Sequence, residues 1–388
     1  MVSMIVPGLT VEELVGLQDS LRLFKNMDIW FMLMLVAFLM IFIHKFEWSV
    51  CLAVLLSSTS SILTYLFMCQ YVKGMPVEEV FGTQDTMIAG VACAITAVIA
   101  IGVFLGTLKT WQYLLVGILF SPSFMFLEFL LWEWLPEITG GVVTDPGGGI
   151  LVHLYAAYWG LGGALGIQEK RAFEEPMLTS KQSMGLVWLS SMLLFMLWPS
   201  FVTSLLPLSQ NNQATINCYF SGFGSIISAY FTCMAVSKKR KINPLVYAYT
   251  LLAGPVASSS TLLLATPWTS LMIGVVAGIL STLSFTYFNA WLCGKIKALD
   301  VMGAHNLHGV CGWISLLSGA LMAGSIVNVW AGLLTMVLGV AVGLISGLIL
   351  RALRGSMSAE EMFSDESIFE GYNPDTRIEP GEKAALVD

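Results

Sequence analysis

His153 and His308 each follow an aspartate by eight residues. The two stretches are Asp145-Pro146-Gly147-Gly148-Gly149-Ile150-Leu151-Val152-His153 and Asp300-Val301-Met302-Gly303-Ala304-His305-Asn306-Leu307-His308. In both, the histidine lies inside an apolar run. Eight helical residues rise about 12 Å, which sets each imidazole well inside a hydrocarbon core about 30 Å thick. Ionisable side chains at that depth are costly and point to function. Two imidazoles brought together there favour neutral forms, because repulsion and desolvation both oppose the charged ones. A neutral pair shares one proton between ring nitrogens and leaves each ring free to meet a small polar molecule such as ammonia. The blander alternative is that each histidine satisfies a neighbouring helix. The repeated spacing weighs against that.

Asp145, followed by Pro146, has the pattern of a helix cap with proline at the first helical position. Asp300 is read as the corresponding cap. Capping is useful here because it fixes where each histidine-bearing helix begins. His305 stands one turn before His308 and either extends the pore lining or faces a neighbouring helix. His44, beside Lys45 at a membrane edge, reads as solvated.

The elements that must position these residues follow from composition. The 388-residue chain is 56% hydrophobic and only 11% charged, well under the quarter typical of soluble domains. Apolar runs near spanning length recur throughout, so the chain reads as an all-α membrane protein of about eleven spans. The expected spans are 29–43, 50–67, 86–106, 113–134, 147–167, 184–206, 219–236, 245–265, 271–292, 308–322 and 327–350. The chain divides into an extracellular segment 1–28, a transmembrane channel domain 29–350 and a cytoplasmic tail 351–388. No cleavable signal is visible at the start, so the first span serves as its own insertion signal.

Lysine and arginine set the orientation. Loops after odd-numbered spans hold Lys45, Lys109, Lys170, Arg171, Lys181, Lys238 to Lys241, Lys295 and Lys297, and Arg351 and Arg354 follow the last span. Loops after even-numbered spans hold only Lys73, and the N-terminal segment adds Arg22 and Lys25. The positive-inside rule places the N-terminus outside and the tail in the cytoplasm. Asp145 then lies at the outer end of the fifth span and Asp300 at the inner end of the tenth. The same Asp-x7-His unit is used twice, five spans apart, in opposite directions. That is the pattern of an inverted-topology repeat, which places a pathway at the midplane between its halves.

The segment Met302-Gly303-Ala304-His305-Asn306-Leu307-His308-Gly309-Val310-Cys311-Gly312 resembles the tenth-helix signature of the ammonium transporter/Rhesus (Rh) family. The Asp145 to Gly163 stretch, with Ala157-Tyr158-Trp159-Gly160-Leu161, resembles the fifth-helix signature of the Rh branch. Leu197-Trp198-Pro199-Ser200-Phe201 resembles its sixth helix, and the tail Phe363-Ser364-Asp365-Glu366-Ser367-Ile368-Phe369-Glu370 fits as well. The resemblance covers nearly the whole chain. It implies five-helix inverted repeats, a homotrimer, and a narrow pore in each subunit for ammonia, with carbon dioxide or methylamine as further solutes. It makes His153 and His308 the twin pore histidines and Asp145 the acidic residue near the outer end. It makes Phe201 one half of a stacked pore gate whose third-helix partner is expected at Ile101, with Phe104 one turn further along. Against many animal Rh glycoproteins, the resemblance leads to the expectation that the extra N-terminal helix and glycosylated outer loop are lacking, and no Asn-x-Ser/Thr acceptor occurs in the sequence.

The remaining features exclude other classes. The seven cysteines are scattered without ligand or disulfide spacing, so no metal and no cofactor is expected. No Gly-rich phosphate loop precedes a Lys-Ser/Thr pair. No nucleophile–base–acid set stands out, so the chain is not read as an enzyme, and nothing points to nucleic acid. Trp132 and Trp134 read as interfacial belt residues. Glu128 lies deeper, capping a backbone or facing an outer vestibule. The resulting reading is a passive ammonia/ammonium facilitator in the plasma membrane. The alternatives are an electrogenic ammonium transporter, or a non-conducting Rh paralogue acting as a sensor or membrane scaffold.

Overall fold

Without water, every backbone polar group in the bilayer must be satisfied within the protein, most simply within its own helix, and most of the long apolar runs of this chain are helical. The computed structural model describes residues 10–43, 45–173, 179–358 and 361–370. His44 and residues 371–388 of the tail lie outside them. The principal helices are α1 (Val11–Met40), α2 (Trp48–Tyr71), α3 (Gln84–Phe104), α4 (Gln112–Thr139), α5 (Gly149–Ile167), α6 (Lys181–Val202), α7 (Leu208–Val236), α8 (Pro244–Ala257), α9 (Pro267–Ile296), α10 (305–323) and α11 (Val327–Arg354).

Among the described residues, nine of these are long and apolar enough to cross a membrane. The expected eighth span, 245–265, is not one continuous helix. It breaks at Leu251 and Leu252, and residues 258–264 continue as turns. The hydroxyl run Ser258-Ser259-Ser260-Thr261 lies in these turns and supplies side-chain partners where the chain has left the helical ladder. Ser315 Oγ accepts from the Ser260 backbone N–H at 2.9 Å, and Ser260 Oγ donates to Asp145 at 3.0 Å. The expected tenth span lies within 305–323 but opens with a wide π-helical turn. The first helix also differs from expectation. It starts at Val11 behind a Thr10/Glu13 capping box, so the boundary drawn at residue 28 falls inside a continuous helix.

The two halves share one register. Asp145 and Asp300, Gly148 and Gly303, His153 and His308, and Tyr158 and Trp313 are each 155 residues apart. Gly148 (φ 76) and Gly303 (φ 66) both hold the left-handed turn just before their helix, a conformation that costs little only for glycine. Helix α5 packs along α11 and α7 along α9. Cβ atoms on Gly162, Gly166, Gly343 and Gly347 at the first seam, and on Gly224 and Gly274 at the second, would run into the backbone opposite, so small residues allow the close approach that stabilises helix pairs in lipid.

After α11 the chain turns back beneath the bundle. The buried Asp365 carboxylate accepts from the backbone N–H groups of Glu47, Trp48 and Ser49 at 2.8 to 2.9 Å. It thus caps α2 from more than 300 residues away. Phe363 packs edge-on to Phe46 and over Gly106.

Candidate pore and its twin histidines

The turns that begin α5 and α10 are alike. Asp145 accepts from the N–H groups of Ile150 and Leu151 at 2.8 and 3.0 Å. Asp300 accepts from those of Ala304 and His305, both at 2.9 Å. Neither aspartate sits immediately before its helix. A glycine-containing turn intervenes, so α5 begins only at Gly149. His153 is therefore about 6 Å into the helix along its axis, not the 12 Å that an unbroken helix from Asp145 would give.

Both histidines lie in π-helical turns, His153 in Gly149–Leu154 and His308 in His305–Gly309. Such widened turns re-aim side chains and frequently mark functional sites. Here they bring His153 Nδ1 and His308 Nδ1 to 3.1 Å, with the ring planes 18° apart. One nitrogen donates and the other accepts, so a single proton lies between the rings.

Three cavities follow one another through the bundle. The first, at the Asp145 end and termed outer after the orientation expected from the basic loops, is about 490 Å³ and is lined by Glu128, Trp132, Asp145 and Phe201, with Ile88 and Ala92 of α3. The middle one, about 50 Å³, holds both histidines and Trp198 among Met32, Val36, Leu39, Ile95, Ile99, Leu194, Phe201, Leu252 and Leu307. The inner one, about 40 Å³, shares Leu307 and His308 with the middle one and adds Tyr249, Phe285 and Met302. Phe201 lines both the outer and middle cavities and stands edge-on to His153 at 6.2 Å. A cavity needs about 10–15 Å³ to hold one water-sized molecule, so the middle one admits only a few. Two of its polar atoms, His153 Nε2 and Trp198 Nε1, are buried without a hydrogen-bond partner among the described residues. Trp198 also faces the His153 ring at 5.7 Å.

Ile101 does not pair with Phe201. It lies sixteen residues beyond Asp85, roughly 24 Å along α3, where the carbonyls of Gly102 and Val103 accept from Met302 and Val301. Phe201 belongs to the opposite, outer end. Ile88, Ala92, Ile95 and Ile99 recur at the spacing of one helix face and line the pathway, whereas Ile101 is fully buried off that face. Phe104 packs on Trp159 at 6.2 Å, also away from the cavities. The α3 residues that line the outer cavity with Phe201 are Ile88 and Ala92, neither of them aromatic. His305 lines none of the three cavities. Its ring lies between Tyr158 and Phe288, at 5.7 and 5.8 Å.

Trp132 lines the outer cavity and Trp134 lies beside Trp330, and both rings are exposed. Glu128 is held by Tyr65, whose hydroxyl lies 3.0 and 2.9 Å from the two carboxylate oxygens. Lys73 Nζ approaches the same carboxylate at 3.8 Å. Sequence reasoning did not find the roles of Ile95, Ile99 and Leu307, since nothing but helix phase distinguishes them from other apolar residues. The pairing of Tyr65 with Glu128 spans 63 residues and leaves no local pattern.

The chain has relatives of known kind. The Ammonium Transporter Family matches residues 20–371. The ammonium transporter Rh type B of Sus scrofa is 30% identical over 249 residues, 62% of this chain and 52% of that protein, and the Homo sapiens counterpart is 29% identical over the same length. The chain thus aligns with about half the length of these curated relatives. Among solved structures, Nitrosomonas europaea Rh50, from work on conduction by the Rhesus protein family of channels, superposes with a TM-score of 0.86. It is 26% identical, with 92% of this chain and 94% of that one covered. A sensor Amt protein has the same fold, with a TM-score of 0.79 at 16% identity over 94% of this chain. With the family matched from before the first apolar run to the docked tail, and an Rh structure superposed over nearly its full length, this chain belongs to the ammonium transporter family and resembles its Rh members.

Proposed function

We propose that this protein is a passive membrane facilitator for ammonia. The observation that carries the reading is the middle cavity. Its walls are apolar apart from His153, His308 and Trp198, and two of its buried nitrogens lack partners. A small neutral molecule that both donates and accepts hydrogen bonds satisfies those atoms, whereas an ion would leave water for a site without a fixed countercharge, at large cost. Ammonium would collect in the outer cavity near Glu128 and Asp145 and lose its proton there. Neutral ammonia would pass Phe201 and the histidine pair, then leave by the inner cavity. Asp145 and Asp300 would hold the two helix starts that aim the histidines. The family resemblance and the distribution of basic loops support a homotrimer in the plasma membrane, with the tail on the cytoplasmic side.

The test is stopped-flow ammonia permeability of proteoliposomes against empty liposomes, with electrical current recorded on the same preparation. Permeability without current supports the facilitator. Current that follows the ammonium gradient would replace it with electrogenic transport, and no permeability of either kind would sink conduction altogether.

A further inference from the structure

Lys73 breaks the charge pattern of the chain. It is the only basic residue in a loop that follows an even-numbered span, on the side that the positive-inside rule leaves poor in cations. The structure gives it a partner. Its Nζ lies 3.8 Å from Glu128 Oε2, with the lysine side chain 42% exposed and the glutamate only 16%. Tyr65 donates a single proton, shared between both carboxylate oxygens at 3.0 and 2.9 Å, and so fixes the orientation of the carboxylate. One oxygen wall of the outer cavity is therefore a buried, oriented carboxyl group. Its only cation among the described residues is a long-stemmed primary ammonium at the outer limit of ion-pair distance.

We infer that Lys73 is a tethered competitor for the cation position at Glu128 and sets the ammonium concentration at which the outer cavity fills. An alkylammonium and an ammonium ion present the same N–H donors to a carboxylate, so both suit the position that Tyr65 leaves open. A buried carboxylate left without a cation is costly, and the lysine meets that need when no solute is present. The 3.8 Å contact and the 42% exposed lysine make it displaceable, because an ammonium ion would restore the charge at the carboxylate while the lysine's side-chain entropy returns on release. The inference rests on the proposed ammonium-collecting role of the outer cavity.

Two readouts on the full-length protein test it. The first is the half-saturating ammonium concentration of flux in proteoliposomes at fixed pH and ionic strength. Lys73→Gln is expected to lower that concentration about two- to fivefold, the range of a weak ion pair, with little change in maximal flux. Glu128→Gln is expected to raise it, and Lys73→Gln added to Glu128→Gln is expected to have no further effect. The second readout needs no conduction: the thermal stabilisation of detergent-purified protein by ammonium chloride over sodium chloride. It is expected to reach half-maximum at correspondingly lower concentration in Lys73→Gln. If Lys73→Gln leaves both midpoints in place, or changes only maximal flux or basal stability, the competitor role is overturned and Lys73 is merely structural. A shifted binding midpoint in protein that conducts nothing would uphold the competitor and sink the facilitator instead.

Discussion

Replacing Asp365 by alanine should release the tail from the bundle. The carboxylate accepts three backbone N–H groups, from Glu47, Trp48 and Ser49, at 2.8 to 2.9 Å, and is itself fully buried. A hydrogen bond to a charged group contributes about 1.5–3 kcal/mol net, so three would sum to more than 4 kcal/mol. The loss will be smaller. Once the tail lifts, water reaches the first turn of α2 and satisfies those donors, and ordinary loss of a helix cap costs about 0.5–2 kcal/mol. Phe363 against Phe46 and Trp48 against Phe369 still favour docking. A net effect of about 3 kcal/mol corresponds to a roughly 100-fold rise in the undocked population. Amide exchange across 361–370, followed by mass spectrometry, reads that population directly. Exchange there should accelerate by about two orders of magnitude, while the core of α5 stays unchanged. Unaltered protection of 361–370 in Asp365→Ala would refute the assignment of Asp365 as the cap that latches the tail.

Further outcomes follow from the same geometry. Ile101→Phe should cost about 1–3 kcal/mol by overpacking a fully buried site and leave solute selectivity unchanged; a new discrimination against methylammonium flux would place Ile101 at a gate after all. Gly303→Ala should lower thermal stability and ammonia permeability together, since φ 66 is unfavourable for alanine and its Cβ would strike Phe285, displacing the turn that aims His308. Tail docking should also weaken in acid, because Arg171, held by Glu169, donates to the Met357 carbonyl at the start of the tail at 2.7 Å. Hydrogen bonds from Arg171 hold the Glu169 carboxyl below its usual value near 4.5, with Arg354 adding to the effect. A lowered carboxyl contributes stability that is fully present above that ordinary value and is lost as pH falls through the lowered one. Exchange across 361–370 should therefore rise below about pH 4.5 in wild type, and Glu169→Gln should remove that component of the pH response.

Much of this arrangement was legible in the sequence because it is carried by repetition. The matching Asp-x7-His units disclosed the register of 155 residues, and with it the crossing of α5 and α10. The basic loops singled out Lys73 as an exception. Other parts depended on helix phase and helix irregularity, which composition does not record. The displacement of Ile101 from Phe201 arises because position along α3 decides which end of the pore a residue serves. The π-helical turns at both histidines leave no mark in composition, and the turns at 258–264 are held by a tertiary network, Ser260–Ser315–Asp145. The latch from Asp365 to the start of α2 joins the two ends of the chain, a contact that no local pattern announces.

The most direct test of the central claim is stopped-flow ammonia permeability, with current recorded in parallel, for wild type, His153→Ala and His308→Ala in the same liposomes. The account predicts currentless permeability in wild type that either substitution alters, because each removes one half of the shared-proton pair in the middle cavity. Wild-type rates retained in both variants would contradict it.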